Sequence, residues 1–273
     1  MRAGIRTELV RINQRLFKLD AAQGPKFADM NPVRFVREQL RFCPDDWQAA
    51  VLSSQSKRIL LNCCRQSGKS TITAALALHQ AVYVRQSLIL LVSPSLRQSS
   101  ELFRKVQNFL ALLTMRPALV EDNRLSLKLS NGSRIVSLPS SESTVRGFSG
   151  ASLIVEDEAS RVTDDLYFAL RPMLAVSNGR HILMSTPWGR RGHFFEAWET
   201  GGPDWERVQI TAPECPRISA DFLAEECRSM PDLWYRSEYL CEFTEVAGQM
   251  FRESDLFSAI SADVMPLRLG GTA

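Results

Sequence analysis

The 273-residue chain has no Cys-x-x-Cys pair, and its three histidines (His79, His181, His193) are scattered, away from zinc spacing. Its six cysteines, at 43, 63, 64, 215, 227 and 241, are irregularly placed, which argues against a zinc module or disulfide framework and for free thiols in a reducing compartment. The histidines read as structural. No apolar run reaches 18 residues and no N-terminal h-region precedes a cleavage site, so neither a membrane span nor a signal peptide is expected. Internal repeats and low-complexity tracts are also missing. The net charge is only +3, too small for an electrostatic footprint over the whole surface.

Charge is uneven, however. Residues 1–41 hold nine Lys/Arg against four Asp/Glu, a local excess of five positive charges. Leu9, Ile12, Leu16 and Leu19 form one apolar stripe of an amphipathic helix, ended by Gly24-Pro25, and a second helix is expected from Pro32 to Arg41. This segment reads as a basic helical N-terminal extension (1–41), ahead of a main domain (42–245) and a polar linker or tail (246–273).

Within the main domain, the apolar run Ile59-Leu60-Leu61 leads into Asn62-Cys63-Cys64-Arg65-Gln66-Ser67-Gly68-Lys69-Ser70, followed by a Gly- and Pro-free helical stretch from Thr71 to Val84. Strand, loop, Gly-Lys-Ser and helix in that order form a phosphate-binding loop. Backbone N–H groups and the positive helix end would receive an anion. Gly68 lets the backbone approach phosphate, Lys69 would reach the β- and γ-phosphates of ATP, and the Ser70 hydroxyl would ligate Mg²⁺. Arg65, Gln66, Ser67 and Thr71 complete the binding segment. Cys63 stands where the motif has its first glycine, a departure that would restrict φ.

Further elements follow the same alternation. Ser87–Val92 reads as a strand buried on both faces, Ser93-Pro94-Ser95 as its exit, and Leu102, Val106, Phe109 and Leu113 as one helix face. Leu125, Leu127 and Leu129 alternate with polar residues before Asn131-Gly132, and Ile135-Val136 and Leu138 follow, which predicts an antiparallel hairpin. Leu153-Ile154-Val155-Glu156-Asp157-Glu158 is an apolar strand ending in two acids, 88 residues after Lys69. Asp157 would hold Mg²⁺, and Glu158 would act as the general base on the attacking water. Asp164 or Asp165 would cap a helix running to about Ala175. His181–Thr186 is another buried strand, ending in Ser185-Thr186-Pro187, whose hydroxyls would sense the γ-phosphate. Trp188–His193 is a basic loop that would touch a DNA backbone or lie solvated. Trp205–Thr211 reads as a strand, and two helices follow at about 219–229 and 231–241. Trp234, Tyr235, Tyr239 and Phe243 fit core packing at helical spacing. The expected fold class is α/β with a mostly parallel central sheet flanked by helices and an antiparallel hairpin addition.

Taken together, Trp47-Gln48, Cys64–Ser70, Arg146-Gly147, Ile154–Ala159 and Ser185-Thr186-Pro187 resemble the ATPase domain of tailed-bacteriophage terminase large subunits, over about residues 30–260. The resemblance implies a P-loop NTPase of the ASCE type that hydrolyses ATP, with Mg²⁺, to drive double-stranded viral DNA into a procapsid. It implies a homo-oligomeric ring at the portal protein, with a monomer in isolation, together with a small terminase subunit and a bacterial-cytoplasmic setting. Carried over by position, Gln48 contacts adenine, Lys69 and Ser70 hold phosphate and metal, Asp157 and Glu158 run hydrolysis, and Ser185-Thr186 couples it to movement. Arg65 or Arg146 stabilises transition-state charge, Arg146 on a neighbour's nucleotide. The family's second domain is a carboxylate-rich nuclease. From position 245 onward only Glu245, Glu253, Asp255 and Asp263 are available, so DNA cleavage is not expected of this chain. Two other readings compete: a superfamily-2-like DNA helicase or translocase, and a non-catalytic nucleotide-binding structural subunit.

Overall fold

The structure, a computed structural model, describes residues 30–139 and 147–245. The expected amphipathic helix near residues 9–19, Arg146 and the 246–273 tail lie outside these residues. Eight strands form a single sheet: β1 (Arg58–Cys63), β2 (Leu88–Ser93), β3 (Leu119–Asn123), β4 (Ser126–Leu129), β5 (Arg134–Pro139), β6 (Leu153–Asp157), β7 (Arg180–Ser185) and β8 (Trp205–Ile210). Their spatial order is β3-β4-β5-β2-β6-β7-β1-β8. All neighbours from β5 to β8 pair in parallel, whereas β3–β4 and β4–β5 are antiparallel.

The central strands are apolar on both faces because helices cover both sides. On one face Ile59, Leu61, Ile89, Leu91, Val155 and Ile182 join a core with helix α3 (Lys69–Tyr83). On the other face Leu90, Val92 and Ile154 form one cluster, and Leu60 and Leu183 another. This is period-two alternation with both phases buried, each full leucine burial contributing roughly 1.5–3 kcal/mol. Helix α3 carries Ala74, Ala75, Ala77 and Ala81 fully buried, and these small side chains let it lie close to the sheet.

Short helices precede β1: α1 (Pro32–Glu38) and α2 (Asp46–Ser53). Helix α1 ends three residues before the expected Arg41, and Arg41 takes a positive φ of 57° that a helix cannot accommodate. Phe35, Val36 and Leu40, assigned from sequence to the extension, are buried in the main core, so this part of it belongs to the sheet's packing. Helix α4 (Leu96–Leu112) buries Leu102, Val106 and Leu110, and Ser95 caps its N-terminus. The Asn131-Gly132 hairpin forms as expected, with Gly132 at φ +87°. Asn131 Nδ2 donates to the carbonyls of Ala81 and Val82, tying the turn to the end of α3. Strand β3 was not read from the sequence; all five of its residues are exposed, so it lacks the alternation that would reveal it.

Helix α5 (Asp164–Leu170) has Thr163 at its N-cap, not Asp164 or Asp165, and only 3-10 turns continue it through Arg171–Leu174. Pro172 is incompatible with further α-helix there. The Asp164 carboxylate instead accepts from the His193 backbone N–H at the start of α6 (Gly192–Glu199). Helices α7 (Ala220–Ser229) and α8 (Asp232–Glu238) close the described chain. The core-packing expectation for the aromatics of α8 is corrected: the helix buries no residue and Trp234 is half exposed, meeting Trp188 edge-on at 6.3 Å. Phe243, past the helix, packs on Phe194, Phe195 and Trp198.

Candidate functional site: a cationic cleft at the strand ends

The loop between β1 and α3 turns through two left-handed residues, Gln66 at φ +62° and Gly68 at φ +93°. Gly68 is the N-cap of α3 with no side-chain cap, leaving the helix's first donors to an outside acceptor. Glycine suits position 68 by its φ, and a Cβ there would stand 2.6 Å from Gln48 Nε2 and displace the end of that side chain. Cys63 causes no such conflict. It is the last residue of β1, paired with Ile210 and fully buried, and its backbone is not left-handed. The missing motif glycine therefore carries no φ strain, and burial pushes the Cys63 thiol up to about 12.

Strand β7 lies between β1 and β6, so the phosphate loop and the acidic strand end face each other across it. Lys69 Nζ stands 3.6 Å from Glu158 Oε1, with Lys69 almost fully buried. Ser185 Oγ lies 3.4 Å from Glu158 Oε2 and 2.7 Å from Ser160 Oγ. Ser160 Oγ also donates to the Thr186 carbonyl. Glu158 itself has φ +51°, a left-handed backbone costing about 1–3 kcal/mol in a non-glycine residue. That strain turns its carboxylate off the strand and toward Lys69. Asp157 accepts from the Glu158 N–H; burial, reinforced by the Glu158 charge, raises its pKa to about 7.

The cleft has a volume of about 510 Å³, and it brings Arg65, Gln66, Gly68, Lys69, Ser70 and Thr71 together with Glu158. It also contains Gln98, from the segment after β2, together with Lys105, Arg161 and Arg217, three residues not proposed from sequence. Five cationic side chains (65, 69, 105, 161, 217) therefore face one carboxylate, a lining suited to a polyphosphate. Arg161 stacks over Trp188 at 3.6 Å. Arg217 donates to the Ser67 carbonyl at 2.6 Å and pairs with Asp45 at 2.8 Å. No local motif marks Arg217, which arrives from beyond β8.

Two expected ligand residues are engaged with the protein itself. Gln48 accepts from Asp45 N in a capping box and donates to the Ser67 carbonyl, so its amide braces the phosphate loop. Arg65 pairs with Glu238 at the end of α8, Nε to Oε2 2.7 Å. The Ser67 hydroxyl is buried without a partner among the described residues.

Behind the acidic strand lies a second polar cluster. Glu156 is fully buried on the opposite face of β6 from Asp157, with His181 Nε2 at 2.6 Å and His193 Nε2 at 3.2 Å. His193 Nδ1 lies 3.0 Å from Asp164, and the Tyr167 ring stacks on His193 at 4.3 Å. Burial opposes charge on Glu156, but the two imidazoles outweigh it and hold its pKa below the usual carboxylate range. Burial likewise opposes charge on His193, and Glu156 and Asp164 outweigh it, raising its pKa. Two of the scattered histidines thus meet in one structural cluster.

Sheet order, phosphate loop and acidic strand end define a P-loop NTPase fold with an additional strand between the two signatures. A family model described as "Terminase large subunit, T4likevirus-type, N-terminal" matches residues 60–257, and the chain belongs to that family. The terminase large subunit of Escherichia phage T5 is 25% identical over 244 residues, covering 84% of this chain and 54% of that protein. That of Thermus virus P23-45 is 26% identical over 254 residues, covering 80% and 52%. The chain therefore spans about half the length of these curated relatives. The large terminase ATPase domain of Thermus phage P74-26 superposes with a TM-score of 0.67 at 23% identity, covering 79% of this chain and all of that one. The large terminase of a thermophilic bacteriophage, solved with ADP, gives 0.61 at 11% identity, covering 78% and 53%. Among the described residues, no helix is long and apolar enough to cross a membrane.

Proposed function

We propose that this chain hydrolyses ATP and that the hydrolysis drives double-stranded DNA into a viral procapsid. The observation that supports this best is the meeting of Lys69, Glu158 and Ser185 at one cationic cleft beside the phosphate loop. Lys69 and the loop N–H groups hold the β- and γ-phosphates. Glu158 takes a proton from the attacking water, and Ser185 orients its carboxylate. Arg65 exchanges Glu238 for phosphate charge, and Arg146 acts on a neighbouring subunit's nucleotide. Gln48 and Arg217, both fixed to Ser67, set the side of the loop where the base sits.

The donor set suits Mg²⁺. The Ser70 hydroxyl and the Asp157 carboxylate would supply oxygen ligands of the kind this ion takes. No group of three or more His, Cys, Asp or Glu among the described residues offers a cage for a different metal. When bound, Mg²⁺ would neutralise charge on the phosphates. DNA, a portal protein, a small terminase subunit and a ring of like subunits are the proposed partners, working in the host cytoplasm.

The deciding experiment measures ATP turnover with magnesium, with and without duplex DNA. Turnover stimulated by duplex is expected. Tight nucleotide binding without turnover would make the chain a structural subunit, and unwinding of a forked duplex would make it a helicase.

A further inference from the structure

Glu156, His181 and His193 lie outside the lining of the cleft, yet they bound the segment that follows β7. That segment, residues 186–192, is held at its start by Ser160, whose hydroxyl meets Ser185 Oγ and the Thr186 carbonyl. In its middle, Ser237 of α8 donates to the Pro187 carbonyl and Arg161 covers Trp188. At its far end stands His193, with its ring between Glu156 and Asp164 and its backbone N–H on Asp164. Both anchors come from residues 156–164, the stretch that also carries Asp157 and Glu158. The far anchor is the more deeply buried, with Glu156 at 0% and His193 at 3% exposure. His193 Nε2 and Glu156 Oε2 stand 3.2 Å apart in this buried interior, without the alignment of a hydrogen bond, so a change at either atom is felt directly by the other.

We propose that Glu156 is a positioning residue for hydrolysis: through His193 it fixes the 186–192 segment, and through that segment it holds Ser185 on the Glu158 carboxylate. Glu156 is fully buried and is not among the residues that line the cleft. It acts at one remove, from the opposite face of the strand. His181, from β7 itself, supplies the second contact that keeps the carboxylate in place. The role rests on the hydrolysis reading above and adds to it a group that lies outside the cleft.

The test is Glu156→Gln, which keeps shape and removes charge, with His193→Gln as the outer member of the pair. Hydrogen–deuterium exchange should rise in peptides covering 186–192 while those covering the phosphate loop, 63–71, keep wild-type protection. Turnover number should fall about ten-fold or more, with the dissociation constant of a fluorescent ADP analogue within about two-fold of wild type. Adding Ser185→Ala to Glu156→Gln should lower turnover little further, since both changes release the same contact. Unchanged exchange at 186–192 in a folded variant overturns the proposal whatever the turnover. So does a loss of turnover matched by an equal loss of nucleotide affinity, which a general loosening of the fold would produce. If Glu156→Gln does not fold, the same readings on His193→Gln decide. Absence of turnover in the wild-type protein would instead strike the hydrolysis reading, and the exchange measurement would still judge the anchor.

Discussion

Glu156 and Asp157 are sequence neighbours on one strand, both nearly inaccessible, and their side chains point to opposite faces of the sheet. Glu156 meets two imidazoles, and its pKa is lowered despite complete burial. Asp157 is raised to about 7 by burial and by Glu158, and Lys69 only partly opposes the shift. Depth is common to both, so what separates them is the partner. One carboxylate is charge-balanced within the protein and serves the architecture. The other is only partly balanced, by Lys69, and this accords with its proposed role as a cation ligand.

The largest test of this division is Lys69→Ala. It removes the buried cation facing Glu158 and should weaken nucleotide binding by at least about 100-fold, roughly 3 kcal/mol. Titration with a fluorescent ATP analogue checks it, and retained affinity would detach the loop from phosphate. Next, Glu158→Gln should leave nucleotide affinity near wild type and cut turnover by about 10²–10⁴. Near-normal turnover would remove Glu158 as the base.

The third prediction concerns pH. Folded Asp157 keeps its proton up to about pH 7, whereas an unfolded aspartate releases it near pH 4, so its favourable contribution is lost as pH rises between those values. In metal- and nucleotide-free protein, Asp157→Asn should therefore be more stable than wild type at about pH 8, by on the order of 2–4 kcal/mol, and the two should converge near pH 4. Thermal melts across that range check it; parallel curves would mean that Asp157 is already balanced internally. The smallest effect is expected from Cys63→Gly. Restoring the motif's glycine should leave nucleotide affinity within about two-fold. It should lower stability by about 1–2 kcal/mol, by emptying a buried site and loosening a strand end.

Much of this was legible because it is local. The phosphate loop, the acidic strand end, the β7 terminus and the Asn-Gly hairpin each declare themselves within a dozen residues, and period-two patterning with both phases apolar signalled a parallel sheet. What was not legible is what depends on distant segments meeting. Arg217 reaches Ser67 across 150 positions, and Arg65 finds Glu238 across 173. His181 and His193 looked isolated until β6, β7 and α6 converged on Glu156. The Asp164 carboxylate looked like a cap because acids commonly are, yet an imidazole took it. The α8 aromatics had helical spacing, but spacing cannot reveal whether the facing surface exists.

The sheet's order has a practical consequence for anyone wishing to watch this molecule at work. Strand β3 is six places from β1 in the sheet, roughly 29 Å at the usual inter-strand spacing, and every residue on it faces solvent. A dye joined through a cysteine introduced at Glu121 would sit on the same sheet as the phosphate loop, far from the cleft. Paired with a second dye on α8, whose Glu238 holds Arg65, it would report by energy transfer whether that helix shifts when nucleotide is added.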